Sequence, residues 1–475
     1  MEIEQTVTPS ATQPTAVQSS AVQSSVLQQQ PPQQPQPQTL TGRFCRCLFT
    51  AIFYLQLILI SLFVVFLTLR GLVFTESPNF HPKKWYTPLL SSVALSGVLS
   101  LAWQCFFVCN KVATVKATFF LTPLLTFSVG MFLIAYGAAV VPGIGLLILI
   151  FSFAQALYAW FHVLGSRSEF AFKIMAIATG IIPARTRAIA VVSAILSVFY
   201  SGFMVAGIGG ATATRTGLDI LFISIVVISL AWTMQVLKNV QVVAISKATY
   251  VYFKHVEFMN ACDALRAAMR NKLGSVCIGS TLVPVFVFIR GTIRTINMAD
   301  GGSDRTMYAS NEDCSWIANH MILYGNRYGF VHVGVHNKSF VQASSDTWKA
   351  FRATVGLEEL IDSDLTSSIC YLSAIAIGAI SALTAGIWAF LTHKDYFFQL
   401  TLYAFIIGYF VGRVASAWLQ GCVLGYYVAY SEDPQSDNFD DTIRQRIQRQ
   451  DIEEAQREDS YRVPEEEEEV ANLNT

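Results

Sequence analysis

About ten long apolar stretches, most of them bordered by Lys or Arg, dominate this chain. A run of roughly 18 or more apolar residues is long enough to cross a bilayer as a helix. The runs are Cys47–Leu69, Thr87–Cys109, Thr118–Tyr136, Ala138–Phe161, Ala188–Gly209, Leu218–Leu237, Cys277–Ile296, His320–Val335, Leu365–Leu391 and Phe397–Tyr430. They predict an all-α polytopic membrane protein of about ten transmembrane helices with short loops. Only 13% of the residues are charged, against about 25% in a soluble domain, and the spans leave no room for a separate soluble catalytic domain. The formal net charge is zero, so no attraction to nucleic acid is implied.

Residues 1–41 are rich in Gln, Pro and Ser and are expected to form a disordered cytosolic tail. Residues 431–475 are expected to form an acidic cytosolic tail, with a turn-rich linker over Ser431–Asn438, a short solvated helix over Asp441–Arg462 and an acidic run at Glu465–Glu469. Basic residues cluster in alternate short loops, which places both termini in the cytosol and requires an even number of spans. Phe170–Ala184 reads as a cytosolic or interfacial helix, and Val240–Phe253 as a continuation of the sixth span beyond the membrane surface. In the loop Lys338–Asp364, Phe340, Trp348, Phe351 and Val355 share one face of an amphipathic surface helix. Cys105 and Cys109, one turn apart on a span, read as packing residues.

Hydrolase elbows, phosphate loops, zinc motifs and carboxylate pairs within a span are absent, and none of the seven His has an evident acidic partner inside a span. The chain therefore does not read as an enzyme, and no cofactor or metal is expected. A carrier fits better, with residues 42–430 as its transmembrane domain. Carriers bind solute where Pro or Gly interrupts a helix, and the candidate interruptions are Pro123, Val141-Pro142-Gly143-Ile144-Gly145 and Pro284. Gly408 with Gly412, and Gly421 with Gly425, give small-residue pairs suited to close helix packing. Asp219, Arg290, Arg294, Arg327 and Arg413 are ionisable residues within or at the ends of spans, where charge is costly. Aromatic residues on the spans, among them Trp103, Tyr158, Tyr200 and Trp232, are compatible with cation–π binding of a quaternary ammonium and equally with interfacial belts.

Gly274-Ser275-Val276-Cys277-Ile278-Gly279-Ser280, Asn326-Arg327-Tyr328-Gly329-Phe330, His336-Asn337-Lys338-Ser339-Phe340 and Tyr430-Ser431-Glu432-Asp433-Pro434 follow one another in that order. Trp232-x-x-Gln235 and Tyr252-Phe253 precede them. This ordered set resembles the choline-transporter-like solute carriers, particularly the shorter members of the PNS type, over roughly Leu218 to Asn438. The resemblance implies a ten-span plasma-membrane carrier that moves choline or a related organic cation by alternating access without ATP. Animal relatives tend to have acidic residues in the last span, where this chain has Leu419-Gln420-Gly421-Cys422-Val423-Leu424. The expected substrate-binding residues are Trp232 as an aromatic face, Gln235 one turn along, Asn326, Gln420 and Tyr427, and loss of the aromatic at Trp232 is expected to abolish saturable uptake. The partners implied are a small organic cation and the lipid bilayer. The alternative is a non-transport membrane protein, lipid-handling or scaffolding, of the same fold.

Overall fold

In hydrocarbon every backbone N–H and C=O has to be satisfied within its own segment, so each long apolar run becomes a helix. A computed structural model describes residues 40–73, 82–137, 140–163, 167–180, 184–212, 218–299, 320–321, 323–362, 364–392, 394–449 and 452. Its helices are α1 (Leu40–Val73), α2 (Pro82–Cys109), α3 (Lys111–Tyr136), α4 (Val141–Val163), α5 (Arg167–Gly180), α6 (Ala184–Ala211), α7 (Asp219–His255) and α8 (Ala261–Asn271). They continue as α9 (Leu273–Ala299), α10 (Gly329–His336), α11 (Phe340–Ala353), α12 (Leu357–Asp362), α13 (Thr366–Thr392), α14 (Phe397–Ala415) and α15 (Ala417–Glu432). A last helix, α16, covers residues 442–449. The predicted disorder of residues 1–41 and the acidic run at Glu465–Glu469 fall almost wholly outside the described residues.

Eight of these segments are long and apolar enough to cross a membrane: α1 to α4, α6, α7, α13, and α14 with α15 as one. α8 and α9, bent by 80° where they meet, make a ninth if the pair is counted as one broken span. The chain is thus an all-α polytopic membrane protein. The eighth expected span, His320–Val335, is not one helix: its described part is interrupted at Asn326–Tyr328, and α10 starts only at Gly329. The interruption is capped, because Asn326 Oδ1 accepts from the Gly329 N–H at 3.0 Å while its Nδ2 donates to the Ser344 carbonyl at 2.8 Å.

Small and polar residues are buried between the helices, and large apolar residues cover the outer face as well as filling the cores. Ser92, Ser96 and Ser100 on α2, and Thr118, Thr122 and Thr126 on α3, are buried at four-residue spacing. Most of these hydroxyls bond back to their own helix, as Thr122 Oγ1 does to the Thr118 carbonyl at 2.6 Å. Leu55, Leu59, Leu62, Phe66 and Leu69 on α1 face outward. Cys105 and Cys109 are also exposed, so they are not the packing residues they were expected to be. The glycine pairs do pack closely. Gly408 and Gly412 lie against Ser381, Gly378 and Ala374 of α13, and Gly421 and Gly425 against α7 at Val242, Ile245, Ser246 and Thr249.

Two apolar cores result. One gathers Ile60, Val64, Leu89, Ile208, Leu230, Met234 and Val414; the other gathers Val236, Phe253, Phe330, Phe340, Phe351, Trp418 and Tyr427. α7 runs through both, so the long helix is a shared beam, and it continues unbroken past Leu237, where the sixth span was expected to end. α5 is a short helix, as predicted, and Lys111 donates to its Ala176 carbonyl near the C-terminus at 2.7 Å.

Two expectations outside the spans change. The amphipathic helix α11 buries Phe340, Trp348 and Phe351 in the second core instead of lying on a surface, while Val355, beyond its end, is 79% exposed. The beginning of the tail is docked rather than solvated. Phe439 stacks on Phe253 at 5.4 Å between ring centroids, Tyr426 donates to Asp440 at 2.9 Å, and Ile443 is fully buried.

At the end of α15, Glu432 ties three helices together. One carboxylate oxygen, Oε2, accepts from Tyr250 and Lys254 of α7, and the other, Oε1, meets His332 Nε2 at 3.1 Å and His336 Nε2 at 3.5 Å on α10. His332 and His336 therefore have an acidic partner, supplied by a residue far away in the sequence. Lys254 and Glu432 are partly exposed, which moderates the loss when the pair is broken. Glu432→Gln is expected to lower unfolding stability by about 1–3 kcal/mol, read as an earlier thermal transition in micelles. An unchanged transition would show that the cluster does not hold the helices together.

Candidate functional site

A helix that stops inside a membrane frees backbone groups that need partners, and the last span stops at Ser416, between α14 and α15. The freed groups are taken up by side chains. Gln104 donates to the Ala415 carbonyl at 3.1 Å, and Cys370 Sγ lies 3.5 Å from the Ser416 carbonyl. With its amide turned to satisfy both neighbours, Gln241 donates to the Val414 carbonyl at 3.0 Å and accepts from the Trp418 N–H at 3.2 Å. The second interruption is at Asn326–Tyr328.

A cavity of about 50 Å³ is lined by Arg327 of the second interruption and by Gln420, one turn past the first on α15. One face of α7 supplies Gln235, Lys238, Asn239 and Val242, which are spaced i, i+3, i+4 and i+7. α9 contributes the wall around Pro284, the second interruption Arg327 and Phe330, α13 Ser367 and Tyr371, and α15 Gln420 and Leu424. The floor is buried at Lys238, Asn239, Phe330 and Gln420, whereas Pro284, Val287 and Tyr371 at the rim are exposed. By the same measure one water needs on the order of 10–15 Å³, so the space holds a few waters.

Its polar groups form a chain. Arg327 donates to Ser367, to the Tyr328 hydroxyl at 3.3 Å and to Asp364 Oδ2 at 3.4 Å. Asp364 also accepts from the Thr366 N–H at 3.2 Å and hydroxyl at 2.7 Å. Gln420 Nε2 donates to Ser367 at 3.3 Å, leaving its buried Oε1 with no partner among the described residues. Asn239 donates to Ser280 at 2.9 Å. Behind Tyr371, the Arg413 guanidinium lies 3.7 Å from the ring centroid, and its buried Nη1 has no partner among the described residues.

Of the five residues expected to bind substrate, Gln235 and Gln420 line this cavity and three do not. Trp232 is half-buried one turn before Gln235 and packs edge-on against Phe53, with centroids 5.6 Å apart. Asn326 caps α10, as described above. Tyr427 is buried against Tyr328 at 6.4 Å and so stands behind Arg327. Lys238 and Asn239 lie just past Leu237, where the apolar run of the sixth span ends. Carrying the Trp232–Gln235 face forward by three and four residues would have found both. Ser367 and Tyr371 carry no sequence signal of their own. Arg327 was noted only as an intramembrane charge.

The proline interruptions fare differently. Pro284 lies in the cavity wall within a helix that stays continuous, and Pro142 falls in the first turn of α4, where proline breaks nothing. Pro123 sits inside α3, and its carbonyl accepts from Ser152 at 2.7 Å. The side chains of Arg290 and Arg294 lie outside the described residues. Among the described residues, His332, His336 and Glu432 are the one group whose ligating atoms are close enough for a metal, within 4.8 Å of one another. The arrangement suits a clamp better. Lys254 already holds the carboxylate, and the buried Nδ1 of His332 has no acceptor to orient the ring as a ligand.

The family described as plasma-membrane choline transporter matches residues 111–435, well over half of the chain and all of the cavity wall. Among curated proteins, the chain is 25% identical over 250 residues to Protein PNS1 of Mycosarcoma maydis, covering 50% of this chain and 47% of that one. It is 22% identical over 187 residues to Protein PNS1 of Yarrowia lipolytica, covering 37% and 32%. With Protein PNS1 of Saccharomyces cerevisiae it shares 23% identity over 187 residues, covering 37% and 34%. The chain thus spans half or less of the length of these relatives. On the family match, this chain belongs to the choline transporter-like family of membrane transporters.

Proposed function

We propose that the chain carries choline or a related small organic cation across the plasma membrane by alternating access, without ATP and with both termini in the cytosol. The observation that carries this reading is the polar cavity lined by residues of two interrupted helices, which is where carriers bind solute. Gln235 and Gln420 would contact the solute, and the faces of Tyr371 and Phe330 would meet its ammonium group. Trp232 would act from one turn away along α7, and Asn326 and Tyr427 would hold Arg327 and the α10 start in place. At about 50 Å³ the cavity is smaller than most ligand sites, so loading a whole choline requires the rim formed by α9 and α13 to part.

Liposomes holding the purified protein test the reading. Labelled choline should enter saturably above the level of empty liposomes and be blocked by unlabelled choline. Gln420→Leu, which removes a polar contact and little volume, should raise the half-saturating concentration by about five- to tenfold. Uptake no greater than in empty liposomes, from folded protein, would defeat the proposal.

A further inference from the structure

The charge around the cavity has the wrong sign for a site that takes only a cation. Lys238 lies on its floor, 5% exposed, and has no hydrogen-bond or ion-pair partner among the described residues. The charge of Arg327 is balanced by Asp364, whose carboxylate is also fixed by Thr366. Arg413, behind Tyr371, adds a third cation with an unpartnered Nη1. Among the described residues, three basic side chains are therefore set against one carboxylate. An unpaired ammonium deep in a membrane protein is expensive to keep, and such groups mark binding sites and ion paths.

We propose that Lys238 receives a carboxylate, so that the solute is a zwitterion carrying a carboxylate as well as an ammonium group. The inference rests on the carrier reading and sharpens its substrate class. The cavity has room for a carboxylate beside Lys238, and the rest of the solute requires the same parting of the rim as choline. The two ends of such a solute find different partners. Lys238 forms a charge-assisted pair with the carboxylate, while Tyr371, Phe330 and the unpartnered Oε1 of Gln420 face the ammonium end. The absence of an acidic residue over Leu419–Leu424 then has a reason, since a carboxylate there would compete for Lys238.

Equilibrium binding to the purified full chain in micelles separates this proposal from the carrier reading. The probes are labelled choline and labelled trimethylglycine, its carboxylated counterpart. Trimethylglycine should bind saturably and more tightly than choline. Lys238→Met should weaken it by about tenfold or more and should tighten choline, because a cation facing the ammonium has been removed, and Lys238→Arg should keep most of the affinity for trimethylglycine. Lys238→Met should also melt later than the parent protein when no ligand is present, because an unpartnered buried polar group has been removed. Choline binding without trimethylglycine binding would overturn the carboxylate site and leave the carrier reading intact. Equal loss of both probes in Lys238→Met would also overturn it, by making Lys238 a structural residue. Binding of neither probe would overturn both.

Discussion

Replacing Arg327 with methionine is expected to destabilise the protein by about 3–5 kcal/mol, because it strands Asp364 as an uncompensated buried charge. The Asp364 side chain is 4% exposed, and Arg327 is its ion-pair partner at 3.4 Å. The two hydrogen bonds from Thr366 remain in the variant, but they do not neutralise a carboxylate in an apolar surround. Removing both charges should rescue folding, so Arg327→Met with Asp364→Asn should recover most of the lost stability. The double variant should still transport poorly, since Arg327 lines the cavity and holds Ser367 for Gln420. Thermal unfolding in micelles reads the stability, and liposome uptake reads the function. If Arg327→Met melts with the parent protein, the pair does not bear on the fold.

Gly425→Leu should be worse tolerated than the substitutions at Gln420 and Lys238. A β-carbon there would lie 2.6 Å from the Ser246 carbonyl oxygen and 2.8 Å from Thr249 Cβ, both on α7. The obstacle includes backbone and a β-branched side chain, so rotation of a flexible neighbour gives no relief. Overpacking in a tight core costs about 1–3 kcal/mol, and a collision with backbone belongs at or above the top of that range. α15 must then separate from α7, which opens the second core and displaces Gln420 from the cavity. Expression should fall and the purified fraction should aggregate, whereas Gly425→Ala, with one added methyl, should keep partial function. A monodisperse, transporting Gly425→Leu protein would contradict the packing described here.

The architecture was legible because hydropathy and helix length are local quantities, and α1 to α4, α6 and α13 match the apolar runs to within two turns at each end. The glycine pairs were legible for the same reason. Burial of a charge was not, because it depends on which other helices surround the residue. Lys238 looks like the end of a span when α7 is read alone, and becomes a cavity residue only when α9, α13 and α15 are packed around it. Glu432 likewise reads as the first residue of a tail, yet it receives bonds from Tyr250, Lys254, His332 and His336. The interruption in the eighth apolar run escaped notice because Asn326 is an ordinary polar residue until its amide is seen to cap Gly329. Gln235 and Gln420 were identifiable as polar residues inside apolar runs. That signal cannot separate residues facing a cavity from those, such as Gln241, that satisfy an interrupted backbone.

The central claim is that solute passes through the cavity between α7, α9, α13 and α15. Its most direct test is the side-selective labelling of Gln420→Cys in sealed proteoliposomes, with the protein's other reactive thiols replaced by serine. Alternating access through this cavity predicts that a membrane-impermeant thiol reagent reaches position 420 from each side of the membrane and that saturating solute protects it from both. A variant that still transports, yet whose Cys at 420 is labelled from neither side or is indifferent to solute, would contradict the account.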